Sequence, residues 1–358
     1  MRNFIAVLFV VSVSGGAVAA VSAKAVGFAA VNAAVGQAEK QAKVVSIAFA
    51  AAHDGAIVDT FADGMADKAS KTKVDDATIF AIESCSKSIT AMAAMKLVDA
   101  GKFALDTKVF EFLGLGTPKD AQTSAITVKE LMNHSAGLPD ELHSAASDDP
   151  TSMARGVLGL RKLAFAPGSQ QKYSNVGFAV LGALIEKASG EDYHTYVERE
   201  VFGPAGITDA RWENGAAPIA GQAVRYSAQG KPLANSITGS GTPGGGWILS
   251  ASDGAKLLAA YDALKIVSKG SYDAMLAPPE KPLKPRKDGS AFGLGWDVVQ
   301  RDGGRVFYGK NGGGNGAHAW LEHDFAGNDF AVFSSGGNGS AAHRPGLRAV
   351  EKALDQAV

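Results

Sequence analysis

Apolar positions alternate with small and polar ones over residues 44–50 and 56–61, and Asp54-Gly55 between them is a favoured hairpin pair. The fold is therefore expected to open with two antiparallel strands. From residue 84 the period lengthens: Ile89, Met92, Ala93 and Leu97 recur on one helical face until Gly101 supplies a stop. Residues 105–290 read mainly as helices broken by Pro and Gly. Thr127 and Glu130 frame a capping box, Phe178, Leu181 and Ile185 form a stripe ending at Gly190, and Tyr193, Tyr196, Val197 and Val201 form another. Ser252-Asp253 opens a further helix through Leu257, Leu258 and Tyr261. Strand-like patterns return over 292–299, 305–309, 317–321 and 330–334, and a last helix is predicted over 345–357. Strands at both ends with helices between predict an α+β fold, an antiparallel sheet flanked by helices with an all-α domain inserted. The boundaries are drawn at 26–80 together with 290–358 for the sheet domain and 81–289 for the mainly helical one.

Residues 1–25 read as a secretory signal peptide. Arg2 gives the positive start, residues 4–13 the apolar stretch, and Ala17-Val18-Ala19 and Ala23-Lys24-Ala25 are alternative cleavage sites. The apolar run is well short of the roughly 20 residues that span a bilayer, so the mature chain is expected to have no membrane span and to be secreted or periplasmic. With 35 basic against 36 acidic residues, the chain lacks the basic excess of a nucleic-acid binder, and a small-molecule or peptide substrate fits better. Cys85 is the only cysteine, so an exported chain must fold on its 46% hydrophobic content without an internal disulfide.

Ser84-Cys85-Ser86-Lys87 stands where the first long helix begins. A serine hydroxyl needs a neighbouring base, and a lysine three residues on returns to the same helical face. Ser-x-x-Lys also occurs at Ser70 and Ser169, but those serines lie in polar turn sequences, and only Ser84 opens an amphipathic helix. Lys87 must be partly neutral to accept a proton, which burial and a second cation, Lys310, would achieve. Tyr173 can join the relay as an anionic base or as the acid that protonates the leaving group. Asn175, in the sole Tyr-x-Asn of the chain, can orient a substrate carbonyl or Lys87, cap the following helix, or both. Lys310-Asn311-Gly312 ends a predicted strand and runs into Gly313-Gly314, whereas Lys287-Asp288-Gly289 matches the pattern without that context. Backbone N–H groups of Ser84 and Gly313 would form an oxyanion hole. Asn175, Lys310, Asn311 and Gly312 are the expected substrate-binding residues, and the chemistry calls for no metal or cofactor.

These motifs resemble the penicillin-recognising serine hydrolases, specifically the class C β-lactamase-like branch with its Ser-x-x-Lys, Tyr-x-Asn and Lys-Thr-Gly order. The segments from Leu131 to Leu138, Phe165 to Gly168 and Gly293 to Trp296 are similar to further signatures of that branch, so the likeness runs from about Val44 to the end. The resemblance implies an active site in a cleft between the two domains and turnover of a β-lactam, a D-alanyl peptide, another amide or a short-chain ester. A penicillin- or peptidoglycan-binding protein without turnover is the contrasting reading. Asn311 stands where the branch has threonine, a hydroxyl that helps hold a substrate carboxylate, while Lys310 matches the carboxylate-binding members.

His134 is expected to fix a helix end. His318 and His323, five apart on a strand, should face opposite ways and form no metal pair. Cys85 is expected to be a small buried residue. The glycine runs at 244–246 and 312–314 lack the Gly-Lys-Ser/Thr of a phosphate loop, and the first is either a turn in the cleft wall, as the resemblance implies, or an ordinary flexible turn.

Overall fold

Strands β1 (Ser46–His53) and β2 (Ala56–Asp67) form the expected hairpin, turning at Asp54 and Gly55 with φ of 50° and 79°. Two successive positive φ values match the right-handed twist of the strands they join. The computed structural model describes residues 44–142, 149–213, 215–235, 243–277, 290–300, 306–324 and 327–337. The predicted leader, the last helix and Lys287-Asp288-Gly289 lie outside them.

Among the described residues eleven further strands follow: β3 (Thr72–Lys73), β4 (Ile79–Ala81), β5 (Arg211–Trp212), β6 (Arg225–Tyr226), β7 (Pro232–Leu233), β8 (Trp247–Ser250), β9 (Ala291–Phe292), β10 (Asp297–Gln300), β11 (Val306–Gly314), β12 (Ala317–His323) and β13 (Asn328–Ser335). Six of them join β1 and β2 in one antiparallel sheet of order β3-β2-β1-β13-β12-β11-β10-β9. Ser46 pairs with Ser335 on one side and Gly64 on the other, so early and late strands sit side by side at the sheet centre as the sequence predicted. A three-stranded sheet, β4-β8-β5, and the β6-β7 pair complete the strands. Their two- to four-residue length left little pattern to read.

The helices are α1 (Ser86–Asp99), α2 (Val109–Leu113), α3 (Val128–Met132), α4 (Pro150–Leu158), α5 (Asn175–Ser189), α6 (Tyr193–Val197), α7 (Ala251–Asp262) and α8 (Lys269–Leu276). The capping box at Thr127 and Glu130 forms, and Gly190 ends α5 in the left-handed conformation. Ile89, Met92, Met95 and Leu97 of α1 are all buried, at roughly 2 kcal/mol each for removing such side chains from water. That helix lies in the main core and packs against α5. A second apolar cluster, around Phe49, Phe330 and Val332, lies on the sheet and is also buried.

Several element boundaries differ from expectation. The predicted strand over 292–299 breaks into β9 and β10, because Gly295 turns with φ of 84° and its backbone lies so close to α1 that a Cβ would overlap the Ala91 methyl. Strand β11 continues through the glycines to Gly314, so Lys310-Asn311-Gly312 lies inside a strand and not at its end. Ser250, not Ser252, caps α7. Helix α7 packs against β1 and β13, with Gly254 admitting the side chains of Leu321, Ala331 and Phe333.

Candidate active site

The nucleophile candidate sits on a turn made for it by its neighbours. Glu83–Cys85 form a single 3₁₀ turn and the α-helix proper starts at Ser86, two residues later than the sequence pattern suggested. The physical reason is Glu83, which takes φ of 49°, a left-handed conformation that a non-glycine residue adopts only when its surroundings hold it. Arg225 does the holding. Its buried guanidinium bonds the Glu83 carboxylate, grips both oxygens of Glu213 at 3.0 and 2.8 Å, and donates to the Gly314 carbonyl at 3.2 Å. Glu83, Arg225 and Glu213 carried no motif in the sequence, and only their convergence in space gives them a role.

Lys87 returns to Ser84 one turn on, with Nζ 3.1 Å from Oγ. The same amine donates to Asn175 Oδ1 at 2.6 Å and to the Gly244 carbonyl at 2.7 Å. It is fully buried, and that burial, reinforced by the positive charge of Lys310, lowers its pKa to about 7. Close to neutrality a large share of Lys87 is a free amine. Its two N–H bonds then point at the two carbonyl oxygens, and its lone pair is left for the serine proton.

Tyr173 approaches from the other side, its hydroxyl 2.5 Å from Ser84 Oγ. Burial pushes this phenol well above its ordinary pKa, so it is a neutral donor and not the anionic base that the sequence left open. The ring is packed 4.5 Å from that of His134, which lies past the end of α3 with φ of 60° and accepts from the Ser174 N–H through Nδ1 at 3.2 Å. His134 thus shapes the Tyr173 loop as well as following a helix end. Ser174, not Asn175, caps α5, since its hydroxyl accepts from Gly177 N–H at 3.0 Å. Asn175 is freed to face Lys87, and Asp140 fixes its amide by accepting at 2.9 Å.

Lys310 comes from β11, with Nζ 5.5 Å from the centre of the Tyr173 ring and 5.6 Å from that of Phe292. Lys87 lies 4.9 Å from the same Tyr173 ring. Asp297, on the neighbouring strand β10, accepts from Lys310 at 3.3 Å, a partner the sequence reading did not anticipate. Strand β11 runs tightly against the nucleophile turn: a Cβ at Gly312 would overlap the Ile82 carbonyl oxygen and lie 2.9 Å from Ser84 N. The buried Cys85 thiol donates to the Lys310 carbonyl at 3.1 Å, stapling turn to strand. Burial raises the Cys85 pKa strongly, so it stays a thiol and has the packing role expected of it.

Ser84, Lys87, Tyr173, Asn175 and Lys310 are therefore brought together, with Gly312 beside Ser84. Asn311 is exposed and pairs with Trp320 across the β11–β12 ladder. Ser70 lies in the exposed turn between β2 and β3, bonded to Asp67 and Thr72, and Ser169 is exposed and bonded to the Ala166 carbonyl. The Gly244 turn does line the site, through its carbonyl. His323 meets Asp262 and Asp329 within 4.8 Å, away from His318. Burial alone would lower the His323 pKa, but hydrogen bonds and charge from both carboxylates raise it to about 10. Among the described residues no helix is long and apolar enough to cross a membrane.

Esterase EstB of Burkholderia gladioli is 31% identical over 190 residues, 48% of this chain and 48% of that protein. Penicillin-binding protein 4* of Bacillus subtilis is 31% identical over 176 residues, 46% of this chain and 37% of that one. The chain thus spans less than half the length of the curated relatives it matches at this level. In three dimensions a penicillin-binding protein from Bacillus halodurans superposes with a TM-score of 0.75 at 23% identity, covering 88% of this chain and 98% of that one, a likeness of fold. The family model for Beta-lactamase matches residues 31–353, a span that holds the serine turn, the tyrosine loop and the lysine strand alike, and the chain belongs to that family.

Proposed function

We propose that the protein is an exported serine hydrolase that forms an acyl-enzyme at Ser84 with a small ester, amide or β-lactam. The observation that carries this reading is the contact of one serine oxygen with both an amine of lowered pKa and a neutral phenol, at 3.1 and 2.5 Å. Neutral Lys87 takes the serine proton as Oγ attacks the carbonyl carbon. The oxyanion forms between the backbone N–H groups of Ser84 and Gly313, each such donor contributing roughly 2.7–4 kcal/mol to the transition state. Tyr173 passes its proton to the departing alcohol or amine and is reprotonated from Lys87. Water then cleaves the acyl-serine bond by the same relay in reverse.

The curated relatives support the ester and penicillin classes by name, and the leader read in the sequence supports export. Incubation with a p-nitrophenyl ester and with a labelled penicillin, followed by peptide mass spectrometry, should place the adduct on the Ser84 peptide. Ser84→Ala should lose both adduct and turnover. An adduct on Ser70 or Ser169 would overturn the assignment, and labelling without product release would identify a binding protein. Export is tested by the N-terminus of the mature protein recovered outside the cytoplasm.

A further inference from the structure

Two successive residues of the tyrosine loop tie down two successive residues of the segment that follows His134. The Ser174 hydroxyl donates to the Pro139 carbonyl at 2.6 Å. Next to it, one oxygen of the exposed Asp140 carboxylate accepts from Asn175 twice, from the backbone N–H at 3.1 Å and from side-chain Nδ2 at 2.9 Å. Asn175 opens α5, so a carboxylate at a helix N-terminus accounts for the first bond. It does not account for the second, which ends on a side chain whose other end lies 2.6 Å from the Lys87 amine.

The two ends of an asparagine amide are alike in shape and opposite in hydrogen bonding, so a neighbour must decide which end faces the amine. An ionised carboxylate only accepts. Asp140 therefore takes Nδ2 and leaves Oδ1 for Lys87. The free amine donates one N–H to that oxygen and the other to the Gly244 carbonyl at 2.7 Å, and its lone pair then faces Ser84 Oγ, 3.1 Å away. With the amide turned round, an Nδ2–H would point at Nζ and engage the lone pair that the serine proton needs.

We propose that Asp140 is a positioning residue for the reaction: it fixes which end of the Asn175 amide meets Lys87 and so aims the base at Ser84. This rests on the acylation reading above and adds to it the group that orients the base. Asp140 also acts by charge. After burial and the Lys310 charge, which lower the Lys87 pKa, Asp140, Glu83 and Cys85 act to raise it. Orientation and charge thus pull in opposite directions, and two substitutions separate them.

The test is kcat/KM for p-nitrophenyl butyrate between about pH 5 and about pH 10 in the wild-type protein, Asp140→Asn and Asp140→Ala. Both variants lose the charge that favours the ammonium, so both midpoints should fall below the native one. The high-pH plateaus should differ. Asp140→Asn keeps an oxygen that accepts from Asn175, whereas Asp140→Ala keeps none, so the Asn-to-Ala plateau ratio should be about tenfold or more, the effect of a charge-assisted hydrogen bond that sets the reacting geometry. Far-UV circular dichroism checks that both variants fold. Should Asp140→Ala not fold, Asp140→Asn decides, with a plateau within about threefold of wild type expected and a larger loss overturning the proposal. A plateau ratio below about tenfold, or midpoints that stay or rise, overturns this inference alone and leaves Asp140 as a cap of α5. Absence of both turnover and Ser84 labelling in the wild-type protein overturns the acylation reading and this inference with it.

Discussion

Replacing Lys310 by methionine tests how the site makes a base of Lys87. In the native protein the Lys87 pKa falls to about 7 through burial first and the Lys310 charge second. Both amines lie over the Tyr173 ring, 4.9 and 5.5 Å from its centre, so they are separated by no more than about 10 Å. At that distance and an effective dielectric of about 20, two unit charges repel by about 1.7 kcal/mol, a little over one pH unit. A base works in its deprotonated form, so kcat/KM for a neutral ester should rise with pH through a midpoint near about 7 in the native protein. In Lys310→Met the repulsion is gone, so the midpoint should move upward by about one pH unit. The assay is the initial rate at low substrate between about pH 5 and about pH 10, where p-nitrophenolate release is corrected for its own ionisation. A midpoint that stays near about 7, or moves downward, would refute the assignment of Lys310 as the cation that tunes Lys87.

Two further outcomes follow from neighbouring contacts. Arg225→Met leaves the Glu83 and Glu213 carboxylates buried without their guanidinium, and thermal or urea denaturation should show a loss of about 3–5 kcal/mol, whereas a change below about 1 kcal/mol would mean that the triad does not hold the serine turn. Gly312→Ala forces β11 away from the Ile82 carbonyl, and a displacement of about 1 Å at the reacting centre should lower kcat by about 100-fold while far-UV circular dichroism stays native. Native activity in that variant would show that the strand is not set by this contact.

The legible part of the fold and site was the part encoded locally. Asp54-Gly55, the Thr127/Glu130 box and the Gly190 stop each specify their structure within a few residues, and all three form. Ser84 and Lys87 were legible for the same reason, since three residues on a helix suffice to bring them together. What escaped depended on residues distant in sequence. The helix start was misplaced because Glu83 is held left-handed by Arg225, 142 positions away, and the 292–299 strand was misread because Gly295 must clear Ala91. Asp297 carries no motif, and its role exists only once β10 lies beside β11; the 244 turn stood out as a glycine run, but its carbonyl contact with Lys87 exists only in the fold. For Asn175 the sequence left capping open beside a contact with substrate or Lys87, because cap preference is a local property that Ser174 satisfies equally well.

The staple between the Cys85 thiol and the Lys310 carbonyl joins positions 225 apart in the chain. On a ribosome, the nascent polypeptide therefore carries its nucleophile and proton acceptor long before the strand that completes them emerges. Such a chain is chemically silent during synthesis, and its reactivity switches on only when the last strands zip into the middle of the sheet. Because closing so long a loop is slow, assembly of the sheet centre should also set the pace of maturation.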